Sequence, residues 1–289
     1  MTNRIKNARG RIAAKFTELR ARDEAALIPY IVAGDSDLDT THRLVLQLEA
    51  RGADLIELGV PFSDPMADGP ANQRAAARGL AAGATIPAIL SMVAELRRTT
   101  QIPLILFGYY NPIFHYGCDR LCVDAARAGI DGLLVVDLPP EESRELARPA
   151  GAAGLDIIYL LAPTTPLERS RTIARSASGF LYYVSVAGVT GARTNLAHDL
   201  PGNVRDLRTV TDLPIGVGFG ISTPGQAREV AAFADAVVVG SAISQLIEAH
   251  VHSEGLVEIV GEFAGALKEA MRTARHGGAT GATACSNTV

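Results

Sequence analysis

Lysine is scarce in this chain: among 289 residues only Lys6, Lys15 and Lys268 carry it, all in stretches that pattern as terminal helices. A Schiff-base lysine at a strand end is therefore not expected. Cysteine is equally sparse. Cys118, Cys122 and Cys285 do not form the framework of a small disulfide-rich secreted domain, and no close histidine completes a zinc pattern, so a reducing cytoplasm fits best. The histidines, His42, His115, His198, His250, His252 and His276, are scattered, and the one close pair, His250 and His252, faces apart on a helix end. Metal-dependent aldol chemistry is disfavoured on that ground. No apolar run reaches the length of a membrane span, and MTNRIKNARGRIAAKF interrupts its apolar positions with charge too often for a signal sequence. Basic excess is absent too. A formal charge of −4 argues against a nucleic-acid partner, and it means that a bound phosphate would rest largely on backbone amides.

What is present is an alternation of short β-rich runs with longer helical patterns, in a chain 48% apolar and 20% charged that has ample material for a core. Eight runs stand out: Leu27 to Ala33, Asp54 to Val60, Pro103 to Tyr109, Asp131 to Val136, Asp156 to Leu161, Gly179 to Val184, Pro214 to Gly218 and Asp235 to Gly240. Most are almost wholly apolar, as strands buried on both faces should be. Segments such as Thr40 to Arg51 and Ile86 to Arg98 repeat apolar residues at helical spacing between them. The pattern predicts a (β/α)₈ TIM barrel over residues 1–275, with an open doubly wound sheet as the alternative. Ile5, Ile12, Phe16 and Leu19 predict an extra N-terminal helix that plugs the barrel. Leu256, Ile259, Val260, Phe263 and Leu267 predict the eighth outer helix, and residues 276–289 read as a disordered tail. Strand spacing places extra chain after the second and sixth strands, on the face where barrel chemistry resides.

The second run leads directly into DLIELGVPFSDPMADG, residues 54–69. Period two sets Leu55, Glu57 and Gly59 on one face and Ile56, Leu58 and Val60 on the other, helix-facing side, so Glu57 points into the barrel. Burial raises a carboxyl pKa and suits it to both donate and accept a proton near neutrality. The competing reading is a structural carboxylate paired with an arginine. Asp68 follows in a Pro/Gly-rich loop, where alone it reads as a turn or cap residue, and beside Glu57 as an acceptor for a substrate N–H or O–H. Glycine clusters end the sixth, seventh and eighth strands: Gly188 to Gly191, Gly216 to Gly220, and Gly240 with Ser241. Barrels often hold phosphate there, although Ser241 taken singly reads rather as an ordinary N-cap. A dinucleotide-binding reading of Gly216, Gly218 and Gly220 fails, because that fingerprint belongs to a chain's first βα unit.

The stretch ELGVPFSDPMADGP from Glu57 closely resembles the signature of the tryptophan synthase alpha subunit family. PYIVAGD from Pro29, YYNPIF from Tyr109, DLPPEES from Asp137, GVTGAR from Gly188, GFGIS from Gly218 and GSAI from Gly240 agree with it in order and spacing. The resemblance implies a TIM barrel that cleaves indole-3-glycerol phosphate to indole and glyceraldehyde 3-phosphate by a retro-aldol reaction. It implies Glu57 as the acid/base at indole C3 and Asp68 as the carboxylate holding the indole N–H. It implies further a pocket of Tyr30, Phe107, Tyr182, Thr190 and Phe219, and a phosphate cradle of Gly191, Gly220, Gly240 and Ser241. Asp64, Pro65, Asn111 and Pro139 are implied to face a beta subunit within an alpha2beta2 complex. Pyridoxal phosphate belongs to that partner, and no cofactor or metal to this chain. One position departs from the family: many bacterial relatives carry arginine where Val186 follows Ser185, which bears on closure of the loop around Val189 and on signalling to the partner. Two other readings compete, a phosphosugar isomerase on the same barrel and a non-catalytic activator of a beta subunit.

Overall fold

The apolar runs pair in parallel, each with its sequence neighbour, until the last returns to the first. The computed structural model describes residues 10–184, 199–218 and 220–276. Among these, the strands are β1 (Ala26–Val32), β2 (Ile56–Gly59), β3 (Leu104–Gly108), β4 (Gly132–Val135), β5 (Asp156–Leu161), β6 (Leu181–Val184), β7 (Ile215–Gly218) and β8 (Ala236–Val239). They close into one barrel, so the open doubly wound alternative is excluded. Helices before and between the strands are α1 (Arg11–Ala21), α2 (Leu38–Ala50), α3 (Pro70–Ala81), α4 (Ile86–Leu96), α5 (Tyr110–Tyr116), α6 (Cys118–Ala128), α7 (Arg144–Ala153), α8 (Leu167–Ser176), α9 (Leu200–Leu207) and α10 (Pro224–Ala231). After β8 come α11 (Ser241–His250) and α12 (Leu256–His276). No single helix among the described residues is long and apolar enough to cross a membrane.

Strand periodicity divides the apolar residues into two cores. Ile56, Leu58 and Val60 join the cluster between sheet and helices, whereas Leu55 joins the barrel interior with Ile28, Tyr30, Ile105, Phe107, Leu134, Ile158 and Tyr182. The expected facing of the second strand holds. α1 does plug the N-terminal end: Ile12, Phe16 and Leu19 lie in the interior cluster, and the Phe16 ring sits 5.8 Å from that of Phe180. Ile5 falls outside the described residues, as does the expected tail from residue 277 onward. The doubled helices after β2 match the extra chain expected there. α5 was not anticipated. Its seven residues end at Gly117, whose φ of 95° turns the chain directly into α6, so strand spacing conceals it.

A fourfold device fastens the barrel's N-terminal end. The N–H of Leu27 donates to Asp54 Oδ2 (2.8 Å), of Leu104 to Asp131 Oδ2 (2.9 Å), of Ile157 to Ser178 Oγ (3.0 Å) and of Ile215 to Asp235 Oδ2 (2.9 Å). In return, the N–H of Asp54, Asp131, Ser178 and Asp235 donates to the carbonyls of those same four residues, each at 2.9 Å. Every odd strand is thus clasped by a polar side chain at the start of the following even strand. The three carboxylates carry cations: Lys268 Nζ lies 2.8 Å from Asp54, Arg97 and Arg11 each 2.9 Å from Asp131, and Arg208 2.9 Å from Asp235. Buried Lys268 also donates to the Ala25 carbonyl, which explains how a charge is tolerated there. The opposite end of the strands is left to loops.

Candidate active site

Glu57 is fully buried in mid-barrel, in register with Tyr30 on β1 and Ile105 on β3. Neither carboxyl oxygen has a hydrogen-bond partner among the described residues. The arginine-paired structural reading therefore finds no support. Burial alone pushes its pKa from 4.5 to about 8, so the group is mostly protonated at neutral pH and can still release its proton. A buried carboxyl lacking partners is costly and uncommon in folded chains.

Asp68 lies at the end of the loop that follows β2, one residue before the glycine capping α3. Its Oδ2 accepts from the Tyr109 hydroxyl at 2.8 Å, and its Oδ1 from Asn72 Nδ2 at 3.5 Å. The Ala67 N–H donates to that same Tyr109 oxygen at 3.0 Å, which pins the loop to the end of β3. Burial raises the Asp68 pKa, opposed by the hydrogen bonds from Tyr109 and Asn72. Both carboxylates act on the same two phenols. Tyr30 and Tyr182 are driven well above their ordinary pKa by burial first and then by the negative charges of both Glu57 and Asp68. Two glycines make room for these phenols: a Cβ at Gly59 would collide with the Tyr30 hydroxyl, and one at Gly218 with that of Tyr182. The Tyr30 ring meets Phe107 edge-on at 5.0 Å, and Phe62 lies 5.4 Å from Tyr109. Tyr30, Phe62, Asp68, Phe107 and Tyr109 line a narrow cleft.

The glycine end is assembled beside Tyr30. Gly240 occupies the N-cap position of α11 and Ser241 is its first helical residue, so the expectation that Ser241 caps this helix is corrected. The Gly240 carbonyl already accepts the N–H of Ile243 and Ser244, which leaves the first amides of the helix aimed outward. Gly220, with φ of 83°, follows β7 on the same rim. Thr190, Gly191 and Phe219, with Val186 and Val189, fall outside the described residues. Asp64, Asn111 and Pro139 are exposed and Pro65 partly so, the aspartate and both prolines on the loops after β2 and β4 and Asn111 in α5 after β3. Beside them Met66 is 85% and Phe114 60% exposed, an unusual display for large apolar side chains. Sequence reasoning missed Tyr109 as a functional partner, along with Asn72 and Ser244. Tyr109 read as the last residue of a strand, and nothing local marked the other two.

A parallel barrel that leaves one carboxyl bare in its interior, with a second in the loop after the same strand, has the form of an enzyme site at the C-terminal end of the strands. The comparisons with known proteins narrow the class. The chain matches the model of the family described as tryptophan synthase alpha chain over residues 16–272, and it belongs to that family. It is 56% identical over 259 residues to the tryptophan synthase alpha chain of Citrifermentans bemidjiense, an alignment covering 90% of this chain and 97% of the relative. The corresponding chain of Gluconacetobacter diazotrophicus is 54% identical over 246 residues, covering 85% and 90%. Among solved structures, tryptophan synthase subunit alpha from Legionella pneumophila superposes with a TM-score of 0.83 at 40% identity, covering 92% of this chain and all of that one. A chain of Mycobacterium tuberculosis tryptophan synthase gives 0.83 at 34% identity, covering 91% and 98%.

Proposed function

We propose that this chain cleaves indole-3-glycerol phosphate to indole and glyceraldehyde 3-phosphate, with Glu57 and Asp68 as its catalytic pair. The bare carboxyl of Glu57 carries this reading. With its pKa pushed up to about 8 by burial, it gives a proton to indole C3 and thereby converts the ring to an indolenine, whose C=N accepts the electrons of the breaking C3–C3′ bond. The carboxylate so formed takes the proton of the C3′-side hydroxyl as the aldehyde forms. Asp68, oriented by Tyr109 and Asn72, accepts the indole N–H and stabilises the positive charge that develops on the ring. Tyr30, Phe107 and Tyr182, with Thr190 and Phe219, enclose the indole. The free amides at Gly240 and Ser241, with Gly220 and Gly191, hold the phosphate. Proton transfer of this kind requires neither metal nor cofactor in this chain.

The exposed Met66 and Phe114, set among Asp64, Pro65, Asn111 and Pro139, support a docking face for a beta subunit in an alpha2beta2 complex, which carries the pyridoxal phosphate. The site of action is the cytoplasm. Incubating the purified chain with indole-3-glycerol phosphate, with and without a beta subunit, tests the function: indole appears in both mixtures and faster with the partner. Absence of indole from both would leave the chain as a non-catalytic activator, and turnover of a sugar phosphate instead would make it an isomerase. The aromatic lining around Tyr30 and Phe107 favours the indole substrate over the latter.

A further inference from the structure

The third residue of α3 and the fourth of α11 meet across the catalytic face. The hydroxyl of Ser244, itself 1% exposed, donates to Asn72 Oδ1 at 2.8 Å. Because that oxygen is occupied as an acceptor, the amide can only turn its Nδ2 toward Asp68, where it reaches Oδ1. The other Asp68 oxygen is held by Tyr109, so the carboxylate is held from two sides, by Tyr109 at the end of β3 and by Asn72 on α3. Farther along the same seam, Arg74 binds both oxygens of Glu248 at 2.6 and 2.8 Å, and Arg78 bridges Glu248 to the buried Asp35. These ion pairs tie α3 to α11. The helix that presents its free amides at Gly240 and Ser241 is thus joined to the Asp68 carboxylate through two side chains only.

We propose that Asn72 and Ser244 are positioning residues that set the Asp68 carboxylate from the phosphate-side helix. A substrate phosphate seated on α11 then fixes the geometry of the ring-binding carboxylate, and the two ends of the substrate are read together. The proposal rests on the role given to Asp68 above. Asp68 faces Tyr109 from the end of β3, Asn72 from α3, and Tyr30 and Tyr182 from the barrel interior, and of these it is Asn72 that connects it to α11.

The test is steady-state indole release by the full chain with a beta subunit, over a range of pH. Asn72→Leu lowers kcat about tenfold and leaves KM within about threefold, as expected when an interaction made mainly in the transition state is lost. Ser244→Ala, which removes one oxygen and breaks the same link from its far end, lowers kcat in the same direction. The double variant is no worse than Asn72→Leu alone, since both substitutions cut one connection. The acidic limb of kcat/KM also moves to higher pH in both single variants, because the amide N–H holds the Asp68 pKa down. Arg74→Gln, which loosens the seam without reaching Asp68, leaves kcat and that limb in place. Wild-type kcat and pH profile in Ser244→Ala and Asn72→Leu would overturn the proposal, as would additive effects or a change confined to KM. Failure of the underlying function looks different: the unaltered chain would then release no indole at all.

Discussion

Replacing Glu57 by glutamine should make the protein more stable while abolishing its activity, and the gain should depend on pH in a defined way. A carboxyl whose folded pKa lies above its unfolded one binds a proton in the folded chain that the unfolded chain gives up. Its contribution is therefore complete below the unfolded value of 4.5 and is lost as pH rises through the folded value of about 8. Glutamine fills the same space, is neutral at every pH, and leaves a comparable unpaired polar group, so wild type and variant should coincide near pH 4. The gap then opens to about 1 kcal/mol at pH 5, about 3 kcal/mol at pH 7 and about 4 kcal/mol at pH 8. For a chain of this size, about 3 kcal/mol corresponds to a rise of roughly 6 to 10 °C in Tm. Urea unfolding of both proteins at several pH values, followed by circular dichroism, measures the gap directly. The slope m serves as a check that the unfolded state is unchanged. A gap that stays constant across pH, or a variant less stable than wild type at pH 8, would show that Glu57 has partners that lower its pKa. The account of its chemistry as a near-neutral acid would fall with it.

Three further outcomes follow from other parts of the barrel. Asp131→Ala removes the shared partner of Arg97, Arg11 and the Leu104 N–H, and leaves the largely buried Arg97 without its ion-pair partner; unfolding should become easier by about 3 kcal/mol in urea titration, with kcat for the folded enzyme within twofold of wild type. Gly240→Ala places a Cβ 3.2 Å from the Tyr30 ring at the N-terminus of α11, and should raise KM for indole-3-glycerol phosphate about tenfold in steady-state assays while sparing stability. Phe114→Asp puts a charge on the exposed apolar face; sedimentation with a beta subunit should show the complex weakened at least tenfold, while indole release by the isolated chain is unchanged.

Much of this architecture was readable in the sequence because parallel strands buried on both faces must be apolar almost throughout, and Glu57 was readable because it breaks such a run on its inward phase. The partners of Asp68 were not. Tyr109 is 41 residues away and Ser244 lies 172 from Asn72, so no local pattern announces contacts that closure of the barrel creates. The clasp at the N-terminal end was half legible: Asp54, Asp131 and Asp235 each open a strand, but so does Asp156, and it is Ser178 that completes the fourfold pattern. The short α5 stayed hidden because one left-handed glycine fuses it to α6 within an unremarkable spacing.

The two acidic residues of β2 and its approach make the strongest case for function. Asp54 and Glu57 are three residues apart, both buried, and chemically alike. Around Asp54 the fold supplies the Leu27 N–H and the Lys268 ammonium, the latter from a helix 214 residues farther on. Around Glu57 the described residues supply none, although Tyr30 stands opposite in register and Tyr182 shares the same interior. A chain able to satisfy one buried carboxyl so fully does not leave the next one bare for want of donors. Any donor fixed on Glu57 would lower its pKa and hold its proton-accepting lone pairs, and both effects would remove the acid that the proposed mechanism requires. The rigidity supplied at the Asp54 end therefore matters at the Glu57 end: a strand clasped to β1 and paired with β3 keeps an unpaired carboxyl from swinging to solvent, and its burial keeps the pKa near 8.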